Sequence, residues 1–279
     1  MTDRDVALHP WNRGFSWQPS APPFRRLSAE QVAAFDRDGF VVVEGVFDAA
    51  TVTTVTQEID RFEAGVEAYL AAQSEQRVAI AEAGAITFTT HLVTRSPRLA
   101  AFARDPFFTG VCADLVGPDV NLYWDQAVYK KREKPRRFPW HQDNGYAYVE
   151  PQQYLTCWVA LTDATARNGC PQVARGRHRA GTLAHTYVEP LGWECFSDPG
   201  DVAVAEVAAG GVVVFSSLTP HLTGPNLTAE VRKAYILQYA PAGAEVLQGR
   251  PPADPAGRVR ADDADRQFPL VRGGEPVEG

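Results

Sequence analysis

Cysteine is scarce in this 279-residue sequence: Cys112, Cys157, Cys170 and Cys195 are all there is, and no two of them form C-x-x-C. That absence disfavours a dithiol redox centre or a thiolate metal knuckle. A chain of this length needs no disulfide staples, so reduced thiols in a cytoplasm are the expectation. An apolar leader is missing as well, since MTDRDVALHPWNRG carries charges where an export signal has its apolar core. No run of 18 apolar residues occurs, so neither a membrane-spanning helix nor a membrane partner is expected. Positive charge is not in excess either. Lys+Arg 27 against Asp+Glu 34 gives −7, which argues against nucleic acid or an anionic membrane as a general partner. There is no internal repeat or long linker, and no obligate protein partner is indicated.

What is present is a globular composition, 45% hydrophobic, enough to bury one sizeable core. One domain over 1–279 is the simplest organisation: an irregular arm (1–26), a core (27–240) and a tail (241–279). Structure is expected to begin at LSAEQVAAFDRDGFVVVEGVF. There Ser28 and Gln31 make a capping-box signature, Gly39 is a stop signal, and a strand follows at Phe40–Glu44. From Asp48, apolar Val52, Val55, Ile59, Phe62, Val66 and Tyr69 recur at spacings of three and four, predicting the longest helix. Beyond about residue 118 the texture becomes short β-rich runs separated by Gly, Pro and Asn-Gly turns: NLYWDQAVYK, YLTCWVALTD, CPQVA, GGVVVFSS and RKAYILQYA. Strand–helix alternation does not follow, which argues against a doubly wound parallel sheet. The expectation is an α+β, mainly β domain with a sandwich or barrel core. Residues 181–200 read as a longer connection, and the tail as ordered only where Phe268 and Leu270 dock.

The chemistry starts at FPWHQDNGYAYV, where His141 and Asp143 stand two apart. On extended backbone both side chains point one way and Gln142 the other. Alone, such a pair is most simply a hydrogen-bonded surface pair, because short motifs arise by chance. A third ligand changes the weight. His221 lies 80 positions on, in SSLTPHLTGPN, and the three together have the composition of a facial triad that leaves open positions on Fe(II). Structural zinc is disfavoured because no cysteine stands beside these histidines. Arg232, eleven positions after His221, sits where a strand can bring it near the metal to grip the far carboxylate of a small dicarboxylate. Thr223 on the His221 face can add a hydroxyl. Two readings from other classes use the same residues: a hydrolase with zinc-bound water, and a non-catalytic β-sandwich binding module.

At this point the sequence resembles the phytanoyl-CoA dioxygenase family of Fe(II)/2-oxoglutarate oxygenases, over about residues 27–240. The similarity is carried by LSAEQVAAFDRDGFVVVEGVF, WHQD, LTCWVALTDATARNGCPQVARGRH and HLTGPNLTAEVRKAYILQY. The resemblance implies a double-stranded β-helix (jelly-roll, cupin-like) core with flanking N-terminal helices. It implies iron on His141, Asp143 and His221, the distal carboxylate of 2-oxoglutarate on Arg232 and Thr223, and Trp158 and Gln126 lining the cosubstrate pocket. The implied reaction takes dioxygen, with ascorbate as a stimulant, and hydroxylates a small molecule with release of succinate and CO2. Desaturation, epoxidation and ring closure are alternatives within the class. Halogenation is disfavoured, because halide needs the coordination place of Asp143. Two departures stand outside the metal motif: Ala174-Arg175-Gly176-Arg177-His178 where the family commonly reads Pro-Gly-Ser-His, and Gln126 at a common methionine position. They leave the substrate open, an acyl-CoA included.

Other candidates have ordinary readings beside functional ones. In YLTCWVALTD, alternation puts Leu155, Cys157, Val159 and Leu161 on one face and Thr156, Trp158 and Ala160 on the other. Trp158 therefore reads equally well as barrel filler. His178 and His185 read as solvated loop residues, with substrate contact the alternative, and His91 as a satisfied buried histidine, with reach into the pocket from a flanking strand the alternative. KKREKPRRF, residues 130–138, has six basic residues and one acid: a solvated hairpin, or a basic lip that draws in an anionic substrate. Tyr146 and Tyr148 wall the pocket or simply pack.

Overall fold

The structure is a computed structural model describing residues 6–133 and 138–277. Helix α1 (Ala29–Asp38) starts in the predicted capping box. The Ser28 hydroxyl accepts from the Gln31 N–H and the Gln31 side chain accepts from the Ser28 N–H. Gly39 ends it in the left-handed region at φ 87°. A Cβ there would also lie 2.6 Å from the His178 ring and the Thr219 hydroxyl, so the turn requires glycine twice over. The strand Phe40–Val43 follows directly. Helix α2 (Ala49–Ala71), capped by Asp48, buries Val55, Ile59 and Leu70. Tyr69, expected on the buried stripe, is 59% exposed. The last step of the stripe is four residues, from Val66 to Leu70, as a 3.6-residue period demands.

The core is a double-stranded β-helix. Its major sheet runs in the order Phe40–Val43, Val212–Ser216, Leu155–Ala160, Arg232–Pro241, Val120–Lys130 and Ile86–Thr90, with antiparallel pairing throughout. The minor sheet runs Val202–Val204, Pro171–Ala174, His221–Thr223. An isolated bridge from His141 to His221 adds one more short piece to it. Period-two alternation divides each major strand. Cys157, Val159, Val212, Val214, Tyr235 and Leu237 pack outward against residues of the helices such as Phe35, Ile59 and Phe108. Trp158, Val213, Phe215 and Ile236 point inward, between the sheets. The face split expected for YLTCWVALTD is the observed one.

Two segments carry more structure than their composition promises. Within 181–200 a hairpin forms from Thr186–Val188 and Gly192–Glu194. In the tail, Phe268 and Leu270 are buried as expected. The segment also makes strands at Glu245–Gln248, Gly257–Arg260 and Pro269–Arg272, the last pairing with Val120–Lys130. Polar residues surround these strands, so no alternation announces them. Among the described residues, no helix is long and apolar enough to cross a membrane.

Candidate active site

His141 and His221 exchange both backbone hydrogen bonds, at 3.1 and 2.9 Å, so 80 residues of chain close into one bridge. Directly after it, Gln142 is extended (φ −104°, ψ 145°) and Asp143 opens a 3₁₀ turn, Asp143–Gly145. The pair therefore sits on a bridge and a turn rather than one continuous strand. The ligand atoms of His141, Asp143 and His221 lie within 4.8 Å of one another, with His221 Nε2 3.8 Å from Asp143 Oδ1. Each histidine donates its Nδ1 hydrogen to a carbonyl, His141 to Pro139 at 3.2 Å and His221 to Thr219 at 3.0 Å. That fixes the tautomer and leaves both Nε2 lone pairs for a metal. Burial, helped by the neighbouring His221 ring, holds His141 well below its usual pKa, as a neutral donor. Asp143 Oδ2 accepts from the Thr156 hydroxyl at 2.5 Å. Two imidazoles and one carboxylate match the donor set of a mononuclear Fe(II) site.

Gln142 does face away from the cluster, into the protein. It is fully buried, donates to the Gly181 carbonyl at 3.0 Å and accepts from the Leu183 N–H at 2.7 Å. His185 accepts the Gln142 N–H at 3.0 Å and donates to Leu183 O at 2.9 Å. It packs so close that a Cβ on Gly145 would lie 2.2 Å from its ring. Instead of being solvated, His185 and the fully buried His178 are neutral interior imidazoles, each pulled down to about 4 by burial. His91 stacks edge-on with Trp124 at 4.3 Å.

A cavity of about 560 Å³ opens from the cluster between the sheets, and Gln126, Trp158, Thr223 and Arg232 all line it. Arg232 is 1% exposed. Its Nη1 donates to Val128 O at 3.3 Å and its guanidinium lies 5.1 Å from the Trp158 ring centre, while Nε and Nη2 are buried without a hydrogen-bond partner among the described residues. Burial lowers its pKa to about 10, with Glu133 acting in the opposite sense. Two desolvated donors aimed into a cavity are a cradle for a carboxylate. Their presence fits 2-oxoglutarate, just as the His–Asp–His set fits iron.

Of the basic segment, residues 134–137 lie outside the described residues. Lys130 does not form a lip. It is fully buried, donates to Thr223 O at 3.0 Å and Gly224 O at 2.7 Å, and pairs with Glu133 at 3.8 Å. Lys131 pairs with Glu67 of α2 at 2.8 Å. Tyr146 lines the cavity, whereas Tyr148 packs under the arm against Trp11. Sequence reasoning passed over Thr156, Gln238, Tyr123, Trp124 and Tyr154 as cavity residues. Thr156 was legible, sharing the inward face with Trp158; Tyr123 was not, because its position depends on a register slip between paired strands.

The phytanoyl-CoA dioxygenase (PhyH) family profile matches residues 35–234. Ectoine dioxygenase of Sphingopyxis alaskensis is 28% identical over 244 residues, spanning 80% of this chain and 78% of its own length. That of Bordetella parapertussis is 26% identical over 238 residues, spanning 76% and 75%. Among solved structures, EctD from S. alaskensis with 2-oxoglutarate and 5-hydroxyectoine superposes with a TM-score of 0.66 at 24% identity, covering 91% of this chain and 95% of that one. At that identity the superposition speaks for the fold.

Proposed function

Because the chain belongs to the phytanoyl-CoA dioxygenase family, we propose that His141, Asp143 and His221 hold its iron and that Arg232 and Thr223 clasp the distal carboxylate of 2-oxoglutarate. The protein is a non-haem Fe(II)/2-oxoglutarate-dependent dioxygenase acting on a small molecule. The observation that carries the residue assignment is Arg232, with two buried, partnerless guanidinium nitrogens in the same cavity as the His–Asp–His cluster. A hydrolase using zinc-bound water has no use for that cation, and a binding module has no use for the three ligands.

With iron, cosubstrate and dioxygen bound, the centre supplies oxidative decarboxylation to succinate and CO2, coupled to oxygen insertion into a substrate C–H bond. The chain supplies position. Carbonyls of Pro139 and Thr219 hold the imidazoles with Nε2 forward. The Thr156 hydroxyl takes one oxygen of Asp143, leaving Oδ1 toward His221. Trp158 and Ile236 wall the cosubstrate channel and keep water from the guanidinium. A cytoplasmic location is part of the proposal, supported by four cysteines that are all unpaired.

The test needs no known substrate. With Fe(II), ascorbate, oxygen and 2-oxoglutarate, the wild type should release succinate slowly on its own, and Asp143→Ala much less. A metabolite fraction holding the substrate should accelerate release and yield a product 16 mass units heavier, the mass of one oxygen atom. A loss of 2 mass units would redirect the reaction to desaturation or ring closure. Iron-loaded enzyme that made no succinate in any fraction would overturn the residue assignment.

A further inference from the structure

The end of the cavity away from Arg232 is built differently from the cosubstrate end. Moving along the inward positions of Arg232–Pro241, the rows are Ile236 with Gln126 and Trp158, then Gln238 with Trp124 and Thr156. At the next step the register slips: Tyr239 pairs with Leu122, so Tyr123 has no partner and the strand bulges. A bulge frees a strand from strict alternation. Here it sends Tyr123 and Trp124, adjacent in sequence, into the same cavity. Tyr154 meets Tyr123 edge-on at 5.4 Å, and Tyr146, 5.3 Å from the His141 ring, and Leu191 also line the cavity. The polar groups in this box are neutral. They are tyrosine hydroxyls and the amide of Gln238, which donates weakly to Thr156 at 3.4 Å and leaves its oxygen to the cavity.

Charge is distributed unevenly. Among the described residues, the ionic or imidazole side chains lining the cavity are His141, Asp143, His221 and Arg232. All four are committed once metal and cosubstrate are bound. A charged substrate group entering the aromatic end would meet no uncommitted counter-ion among the described lining residues, and a buried charge left unpaired is disfavoured. A ring with hydroxyl, ether or carbonyl oxygens meets flat aromatic faces and neutral hydrogen-bonding groups.

We propose that the substrate is an uncharged, oxygen-bearing ring compound, bound among Tyr123, Trp124, Tyr146 and Tyr154 with its oxygens toward Gln238 and the tyrosine hydroxyls. This rests on the functional reading above, since it takes Arg232 and the triad as already occupied. The test uses one ring in three charge states: 7-methoxycoumarin, 7-methoxycoumarin-3-carboxylate and 7-methoxy-4-(aminomethyl)coumarin. Each is titrated by calorimetry into anaerobic enzyme loaded with Fe(II) and saturating 2-oxoglutarate. The neutral compound should bind at least about tenfold more tightly than either charged one. Tyr154→Phe and Gln238→Leu should each weaken it about three- to tenfold without altering 2-oxoglutarate binding. Equal or tighter binding of a charged congener, or no binding of any of the three, overturns the proposal. The 2-oxoglutarate titration of the iron-loaded enzyme, followed by its charge-transfer band before any probe is added, separates the two readings. If that band never forms, the cosubstrate assignment fails; if it forms and the coumarin order is wrong, only the substrate class fails.

Discussion

Replacing Arg232 by methionine should move ligand binding and apo-protein stability in opposite directions. Burial pulls the guanidinium from its ordinary 12.5 to about 10, a penalty on the ligand-free fold of about 3 kcal/mol at 1.36 kcal/mol per tenfold change. Methionine removes that penalty and forfeits the Val128 carbonyl contact, worth about 1 kcal/mol. Glu133 keeps Lys130 as a partner. The cosubstrate-free Arg232→Met protein should therefore be about 1–2 kcal/mol more stable than wild type. Binding should go the other way: loss of the cation leaves a desolvated carboxylate unpaired, weakening 2-oxoglutarate by about 2–5 kcal/mol. Urea unfolding of anaerobic, iron-loaded protein with and without cosubstrate reads both. At about 100 times the wild-type dissociation constant, 2-oxoglutarate should add about 2.7 kcal/mol to wild type and less than about 1 kcal/mol to the variant. A variant destabilised without cosubstrate, yet still stabilised by it, would show that Arg232 is a packing residue and the reasoning wrong.

His141→Ala and His221→Ala should each abolish stoichiometric iron binding, one Fe(II) per chain in wild type, while far-ultraviolet circular dichroism stays native; retained iron in either would remove that histidine from the ligand set. Thr156→Val keeps shape but takes away the 2.5 Å hydrogen bond to Asp143. Iron affinity should fall about 10- to 100-fold, as for other residues that orient a ligand, and an unchanged affinity would make Thr156 mere lining. For pH, His178 and His185 have folded values near 4, below the unfolded value of about 6.5. Their neutral forms contribute stability fully above pH 6.5 that is lost as pH falls toward 4. For fully buried His178 this amounts to about 3 kcal/mol, and less for half-buried His185. The difference in urea-unfolding stability between wild type and His178→Gln should change across that window, and a pH-independent difference would refute the assignment.

Much of the site was legible because it is local or rests on short motifs. The capping box at Ser28 and Gln31 needs four residues to recognise, and the face of Thr156 and Trp158 needs only alternation. The proposed ligands His141, Asp143 and His221 were picked out by composition and resemblance, and the fold brings them together. What escaped is set by pairing across the sheet. Nothing in NLYWDQAVYK says that Tyr123 will lack a partner, because the slip arises from the register with Tyr239, more than a hundred residues later. Lys130 lies in a run of charges that read as solvated. It is buried because strand pairing sets it opposite Arg232, where the Thr223 and Gly224 carbonyls and Glu133 satisfy it. His178 and His185 follow turns in sequence, and their burial comes from α1 and from the metal turn packing over them.

The turn that carries Asp143 is anchored through the Asn144 side chain, and the groups that hold that side chain come from scattered parts of the chain. The Asn144 side chain accepts from the Val149 N–H at 2.9 Å and donates to the Thr182 hydroxyl at 2.6 Å. Gln152 accepts from that hydroxyl at 2.8 Å and donates to Asn12 of the N-terminal arm at 3.2 Å. Asn12 in turn donates to Thr182 O at 3.0 Å. All four side chains are buried, where an unmet polar group costs about 1–3 kcal/mol. Loosening any one strands the next, so the network moves together or not at all. Its bonds involve no metal ligand side chain, so the turn is held in place before iron arrives. Iron then gains affinity from a site whose ordering cost has already been met in folding. The same independence is why removing a histidine ligand should cost the metal and spare the fold.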